Sequence, residues 1–288
     1  MRNASSRDMT SGSISCLGRD GFHRMAYVAW GNGEAASNVI CVHGLTRNGR
    51  DFDALAAKLS ERSRVVCPDV VGRGKSDWLA DPTQYQTPQY VADMAALVAR
   101  MDVGWVDWVG TSMGGLIGMA LAAQPGSPVR RLVLNDVGPF IPKAALERIA
   151  AYCGKAPPFA DGDALEAYLR DVHGSFGPLT DEQWQHLARH GGRAVEEGVA
   201  LAYDPGIAVP FNAVQPIADV DLWALWDAIH CPVLVLRGET SDLLSPETAA
   251  EMAARGPKAT VIEIAGCGHA PALMDQGQVK VVDDWLGA

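Results

Sequence analysis

The chain has 288 residues, of which 48% are apolar and 20% are charged, and its 34 acidic and 24 basic residues give a net charge of −10. An apolar fraction of this size can build a full hydrophobic core, which excludes extensive disorder. The sequence contains no cluster of Lys and Arg. Because phosphate binding needs clustered cations, nucleic acid is not expected as a partner.

Signals for membrane insertion, secretion and metal binding by cysteine are also missing from the sequence. It has no run of eighteen apolar residues, and residues 1–15 are polar, without the apolar segment of a secretory signal. Six cysteines are scattered, and none of them forms a CxxC pair. We therefore expect free buried thiols, a cytoplasmic location and no association with a membrane.

The first predicted elements are two strands at residues 14–17 and 23–30. The dipeptide Asp20-Gly21 between them is typical of a hairpin turn. The polar residues 1–13 before these strands are expected to form a flexible extension.

From Asn38 onward, short continuous apolar runs alternate with longer segments that have helical periodicity. The runs are residues 39–42, 64–67, 105–110, 131–135, 232–237 and 260–264, and helical spacing of apolar residues occurs within 91–101, 116–123 and 279–286. Continuous apolar runs are typical of parallel strands that are buried on both faces. The alternation predicts an α/β fold with a mostly parallel sheet flanked by helices.

One long segment, residues 138–221, interrupts this alternation. It contains no clear buried strand, but it has helical segments at 143–152, 163–172 and 181–188, separated by Pro and Gly. A connection of this length must carry its own structure. We predict a helical cap over residues 138–221 and a core formed by residues 14–137 and 222–288.

The most specific motif is the Gly-x-Ser-x-Gly sequence at residues 110–114, which lies between an apolar strand and an apolar helix. A serine on such a sharp turn needs small neighbours, which Gly110 and Gly114 provide. The turn exposes the hydroxyl of Ser112, and the following helix N-terminus favours negative charge nearby. The pattern therefore indicates Ser112 as a nucleophile.

With this motif the chain resembles the α/β-hydrolase family, and the resemblance extends from about residue 14 to residue 286. The sequence His43-Gly44-Leu45 is similar to the family's His-Gly loop after an early strand. The resemblance implies that the backbone N–H groups of Leu45 and Met113 bind an oxyanion. His43 itself is expected to brace the loop.

The resemblance also implies a carboxylate and a histidine that act with Ser112. Asp242, in the loop after a late strand, is preferred to Glu239 because it lies closer to the family's Gly-x-x-Asp spacing. Asp136 is the alternative acid, since some members carry the acid after the strand at 131–135. His269 lies in a glycine-flanked loop after the last strand, and the order Ser112, Asp242, His269 agrees with the family.

A further family motif, Asp-x-x-Gly-x-Gly-x-Ser at residues 69–76, is expected to be scaffold. Its Gly74-Lys75-Ser76 resembles the end of a phosphate-binding loop, but the first glycine of that loop would fall on Asp69. No cofactor is therefore expected. The sequence also shows no metal-ligand spacing, so no metal is expected.

The identity of the nucleophile narrows the expected reaction to acyl chemistry, since relatives that open epoxides or remove halide use aspartate at this position. The favoured function is a serine carboxylic-ester hydrolase that acts on a small to medium acyl substrate through an acyl-enzyme. The alternatives are a lactonase or carbon–carbon hydrolase, whose substrate carboxylate would be bound by Arg47, and a non-catalytic receptor for a small ligand. A small-molecule ester is the expected partner, and the sequence leaves monomer and homodimer equally open.

Overall fold

A computed structural model describes residues 9–31, 35, 37–213 and 216–288. The strands are β1 (Thr10–Gly18), β2 (Gly21–Trp30), β3 (Ser37–Val42), β4 (Ser63–Pro68), β5 (Val106–Thr111), β6 (Val129–Asn135), β7 (Phe140–Ile141), β8 (Gly192–Val195), β9 (Gly198–Leu201), β10 (Val220–Asp221), β11 (Val233–Gly238) and β12 (Thr260–Ile264). The α-helices are α1 (Asp53–Leu59), α2 (Thr87–Met101), α3 (Met113–Ala122), α4 (Lys143–Tyr152), α5 (Gly162–Val172), α6 (Asp181–Gly191), α7 (Val209–Ala213), α8 (Trp223–Asp227), α9 (Pro246–Ala254) and α10 (Gln276–Gly287).

Eight strands form one sheet in the order β1-β2-β4-β3-β5-β6-β11-β12. The six strands from β4 to β12 in this order pair in parallel, whereas β1 and β2 form an antiparallel hairpin at one edge, with β2 also antiparallel to β4. The predicted fold class and the hairpin are therefore confirmed, and each of the six apolar runs forms a strand. β12 is the exception to the expected burial, since it lies at the edge of the sheet and its residues are exposed or partly exposed.

The structure corrects the expected start of the first strand. β1 begins at Thr10, where its pairing with Ala29 continues the ladder, and not at residue 14. The ladder consists of backbone hydrogen bonds, and the polar side chains of an edge strand remain in water, so apolar patterning misses these residues. The rest of the expected extension, residues 1–8, lies outside the described residues.

Helices cover both faces of the sheet, as the buried strands require. Apolar residues of α2, α3 and α9 pack in one core cluster, and those of α1 and α10 pack in the other. All six cysteines are free, and five of them are buried. Among the described helices, none is long and apolar enough to cross a membrane.

Residues 138–221, which we call the insertion, contain α4 to α7 and four short strands. β7 pairs with β10, so the two ends of the insertion lie side by side. The three predicted helices are present as α4, α5 and α6, and a small cluster of buried residues joins α5 to α6. The hairpin of β8 and β9 was not predicted, because strands of four partly exposed residues carry no clear pattern of burial.

The turn between β5 and α3 depends on glycine at two positions. A Cβ atom on Gly114 would lie 2.0 Å from the carbonyl oxygen of Val42, and one on Gly110 would lie 2.3 Å from the carbonyl oxygen of Gly114. Ser112 between them has a φ of 51° and a ψ of −115°. The predicted sharp turn with small neighbours is therefore confirmed.

We expect Gly114→Ala to lower the free energy of unfolding by about 1–3 kcal/mol or more, because the added methyl group collides with backbone that cannot move away. Urea denaturation measures the change. Gly104→Ala is the matched control, since a Cβ atom there has no atom within 4 Å. Equal stability of the two variants would contradict the close approach at Gly114.

Candidate active site

Three polar side chains meet at one edge of the sheet. Ser112 follows β5, Asp136 follows the adjacent strand β6, and His269 lies in the loop after β12. All three strands are parallel, so their carboxyl ends lie along the same edge, where α/β proteins place their ligand sites.

These side chains form a chain of hydrogen bonds. His269 Nε2 lies 2.9 Å from Ser112 Oγ, and His269 Nδ1 lies 2.8 Å from Asp136 Oδ2. Because a carboxylate only accepts, Nδ1 is the donor to Asp136, which leaves Nε2 to accept the Ser112 hydroxyl proton in the neutral imidazole. The predicted pairing of Ser112 with His269 is therefore present in the structure.

The sequence-based preference for Asp242 is wrong, because Asp242 does not bond to His269. The alternative acid, Asp136, is the carboxylate that accepts the hydrogen bond of His269. Asp242 is half exposed and pairs with Arg148, whose Nη2 lies 2.9 Å from its Oδ1. The residue of this loop that bonds to Asp136 is Ser241, whose hydroxyl donates to Asp136 Oδ2 over 2.6 Å. Counted from Gly238, the Gly-x-x-Asp spacing in fact falls on Ser241 and not on Asp242.

Asp136 is fully buried and is held by several donors. Its Oδ1 accepts the N–H of Gly238 over 2.7 Å, in addition to the bonds that Oδ2 accepts from Ser241 and His269. Its φ of 55° lies in the left-handed region, which Asp tolerates better than most residues. The end of β11, the loop after it and the loop after β12 thus supply the hydrogen bonds that offset the burial of this carboxylate.

Asn135, the last residue of β6, connects the three loops of the site. Its carbonyl oxygen accepts the N–H of Ser112 over 3.0 Å, and its Nδ2 donates to Thr111 Oγ1 and to the carbonyl oxygen of Pro271. No motif in the sequence singles out this residue. A buried Asn at a strand end, directly before Asp136, was the available signal.

Leu45 and Met113, the predicted oxyanion donors, lie on the loops that flank Ser112. A Cβ atom on Gly44 would lie 3.8 Å from Ser112 Cβ, which places the His43-Gly44 loop against the serine. Among the hydrogen bonds of the described residues, neither the N–H of Leu45 nor that of Met113 has an acceptor. Their role as oxyanion donors stays a prediction.

Arg73, which the sequence analysis treated as part of a turn, is fully buried behind these two donors. Its Nε donates to the carbonyl oxygen of Leu45 over 2.9 Å, and its Nη2 lies 3.5 Å from Met113 Sδ. Its guanidinium also packs on the ring of Tyr90 and donates to that hydroxyl. No carboxylate of the described residues forms an ion pair with Arg73, and carbonyl oxygens, a hydroxyl and aromatic rings surround its guanidinium.

His43 braces its loop, as expected. Its Nε2 accepts the N–H of Val70 over 2.9 Å, so Nδ1 carries the proton and donates to the carbonyl oxygen of Gly44 over 2.7 Å. Burial lowers the pKa of His43 to about 4. The side chain is therefore neutral near pH 7. Its two ring nitrogens bond to Gly44 and Val70, and not to Ser112 or His269.

The Asp69 turn is scaffold, as the sequence analysis expected. Asp69 accepts the N–H groups of Gly49 and Lys75, both over 2.8 Å, and burial raises the pKa of its carboxyl. Ser76 connects the turn to β2 by accepting the N–H of Ala26.

A cleft with an empty volume of about 730 Å³, its open mouth included, lies over Ser112 and His269, between the sheet edge and the insertion. Its apolar lining is formed by Leu45, Ile149, Tyr152, Val172, Phe176 and Leu187.

Arg47, the predicted group for a substrate carboxylate, lines the cleft but is already paired. Its Nε and Nη2 each lie 2.8 Å from an oxygen of Asp51, and its side chain is 5% exposed. His173 also lines the cleft, where burial, with a smaller contribution from Arg47, holds its pKa well below the usual range. The structure therefore places Arg47 at the site with the Nε–Nη2 edge of its guanidinium already bonded to Asp51.

The chain belongs to the alpha/beta hydrolase family, whose sequence model matches residues 39–283. It is 49% identical over 285 residues to the 3-hydroxybutyrate-oligomer hydrolase of Cupriavidus necator, which covers 96% of this chain and 97% of the relative. It is 29% identical over 229 residues to the 2-(acetamidomethylene)succinate hydrolase of Mesorhizobium japonicum, which covers 79% of each chain. Among solved structures it resembles an alpha/beta hydrolase of Novosphingobium aromaticivorans, with a TM-score of 0.86, 37% identity and coverage of 98% and 99% of the two chains.

The buried neutral state of His43 predicts a pH-dependent contribution to stability. Its pKa is lower in the folded chain than the ordinary value near 6.5, so lowering the pH favours the unfolded state, which binds the extra proton. His43→Gln removes this titration. We expect this variant to have a lower free energy of unfolding than the wild type at pH 7. We expect this difference, which we call the gap, to be about 2 kcal/mol smaller at pH 5.

Urea denaturation of both proteins at the two pH values measures this difference. His230→Gln, at an exposed position, is the matched control and should leave the gap unchanged between the two pH values. An equally constant gap for His43→Gln would contradict the burial of a neutral His43.

Proposed function

We propose that this protein is a serine ester hydrolase that cleaves the ester bonds of 3-hydroxybutyrate oligomers. The observation that carries the proposal is the hydrogen-bonded series Ser112, His269 and Asp136, of which Ser112 and His269 line the cleft. The 49% identical relative, named for the hydrolysis of 3-hydroxybutyrate oligomers, supports the substrate class. It also favours ester hydrolysis over the lactonase and carbon–carbon hydrolase alternatives.

In the proposed mechanism, His269 Nε2 removes the proton of Ser112 Oγ as this oxygen attacks the ester carbonyl. Asp136 keeps the proton of the neutral His269 on Nδ1 by accepting its hydrogen bond, and it stabilises the imidazolium that forms. As the ester C–O bond breaks, the protonated His269 gives its proton to the departing alkoxide oxygen, which becomes the hydroxyl of one 3-hydroxybutyrate unit, and the other part of the oligomer stays bound to Ser112 as an ester. A water molecule deprotonated by His269 cleaves this acyl-enzyme and releases the carboxylic acid.

The oxyanion formed in each half of the reaction would accept the N–H groups of Leu45 and Met113. Met113 is the first residue of α3, so the helix dipole adds positive potential at this point. Arg73 holds the carbonyl side of Leu45 and contacts the Met113 side chain, so it would act as a positioning residue for both donors. Donors fixed in this way are effective because they need no reorganisation during the reaction.

The insertion, which we propose acts as the cap, supplies apolar walls that suit the methyl groups of 3-hydroxybutyrate units. Tyr152 and Ile149 of α4, Val172 of α5 and Phe176 face the cleft from this side, and Leu45 faces it from the core. A mostly apolar cleft with a few polar groups is typical of small-molecule sites.

The direct test uses linear 3-hydroxybutyrate dimers and trimers, with release of the monomer measured by chromatography. We expect repeated turnover by the wild type and at least a 1000-fold loss in Ser112→Ala, because this change removes the nucleophile. Turnover of p-nitrophenyl butyrate without turnover of either oligomer would contradict the proposed substrate but would still support an ester hydrolase. Binding without turnover of any ester would favour a non-catalytic receptor.

The two carboxylates of the sequence analysis give a second prediction. Asp136→Asn should lower kcat on p-nitrophenyl butyrate by about 10⁴-fold, because the amide no longer selects the productive tautomer of His269. Asp242→Asn should retain kcat within about threefold, since Asp242 is exposed and contacts Arg148 and not His269. A severe loss at Asp242 with a mild loss at Asp136 would contradict the assigned acid.

A further inference from the structure

Two arginines line the cleft among the described residues, and one of them can change its partner more readily than the other. Arg47 is buried, holds both oxygens of Asp51 and also donates to the carbonyl oxygen of Leu187. Breaking this pair would leave the buried Arg47 guanidinium without its carboxylate, which is strongly unfavourable. Arg47 is therefore fixed in place.

Arg148 is held much less tightly. Its side chain is 39% exposed, and that of its partner Asp242 is 48% exposed. Its Nε and Nη2 bond to this carboxylate, while Nη1 has no acceptor among the hydrogen bonds of the described residues. Ion pairs with this exposure contribute little to stability because water solvates both partners, so exchange of Asp242 for another carboxylate costs little.

Among the described residues that line the cleft, Arg148 is the cation whose ion-pair partner lies outside the lining. Of the described residues that line the cleft, Arg47, Asp51 and Arg148 carry charge near neutral pH, and Arg47 is matched by Asp51. Burial keeps His173 neutral by holding its pKa well below the usual range. Asp242 lies outside the lining, so the cleft itself presents one positive group on the α4 side.

We propose that Arg148 is a carboxylate-binding residue that holds the free acid end of the substrate and exchanges Asp242 for it. The inference rests on the proposed function, because a linear 3-hydroxybutyrate oligomer ends in a carboxylate that is ionised at neutral pH. The planar guanidinium of Arg148 matches such a carboxylate with two parallel hydrogen bonds. Ile149 and Tyr152, on the same helix, line the cleft beside it with apolar side chains.

This arrangement selects the chain end of the substrate. A short oligomer presents its carboxylate near the scissile ester, whereas an ester whose acid end is blocked presents no group for Arg148. The protein should therefore prefer free-acid esters to neutral esters of the same length.

The test compares the 3-hydroxybutyrate dimer with its methyl ester, and the readout is the ratio of the two kcat/KM values. We expect Arg148→Gln to lower the ratio of free acid to methyl ester at least tenfold. Asp242→Asn should keep or raise the ratio, because it removes the competing carboxylate. Arg255→Gln is the matched control for loss of one paired, exposed arginine, and it should leave the ratio unchanged.

Two results would overturn the inference. If Arg148→Gln leaves the ratio unchanged, Arg148 does not bind the substrate carboxylate. If Arg148→Gln and Asp242→Asn lower the ratio equally, the intact ion pair matters and the exchange does not occur.

Two further measurements distinguish a wrong substrate from a wrong role of Arg148. If the wild type cleaves simple esters but neither dimer, monoethyl and diethyl succinate replace them, since the ratio needs only an ester with and without a carboxylate. Binding of 3-hydroxybutyrate to Ser112→Ala, measured by calorimetry, needs no turnover and should weaken at least tenfold when Arg148→Gln is added. An unchanged affinity would count against the site whatever the enzyme hydrolyses.

Discussion

The organisation of this site depends on one buried carboxylate, Asp136, at the end of β6. An ionised carboxylate away from water is costly unless donors surround it, and Asp136 has three: the N–H of Gly238, the hydroxyl of Ser241 and Nδ1 of His269. The first two come from β11 and the loop that follows it, and the third comes from the loop after β12. Satisfying Asp136 therefore fixes the position of three loops, and the orientation of His269 toward Ser112 follows from it.

A second constraint acts on the other side of Ser112. The His43-Gly44 loop must approach the serine closely while its backbone N–H groups stay free to bind an anion. His43 fixes this loop through Val70 and Gly44, and Arg73 fixes it through the carbonyl oxygen of Leu45. Both groups are buried, and both leave the N–H of Leu45 without an acceptor. The scaffold thus orients the candidate donors without occupying them.

The strands, the nucleophile turn and His269 could be predicted because each has a local cause. Buried parallel strands require continuous apolar runs, and the turn at Ser112 requires glycine on both sides. The choice between Asp136 and Asp242 has no local cause, since each follows a strand, and it depends on which side chain of a loop points inwards. Arg73 was missed for a related reason, because an arginine in a polar turn looks like a surface charge until the loops pack around it.

Proton NMR on protein labelled with ¹⁵N-histidine tests the central claim that Asp136 orients His269. The charge-assisted hydrogen bond from Nδ1 to a buried carboxylate predicts a strongly deshielded, slowly exchanging imidazole N–H proton in the wild type. This signal should disappear in Asp136→Asn and remain in Asp242→Asn. A signal that persists in Asp136→Asn and is lost in Asp242→Asn would contradict the account.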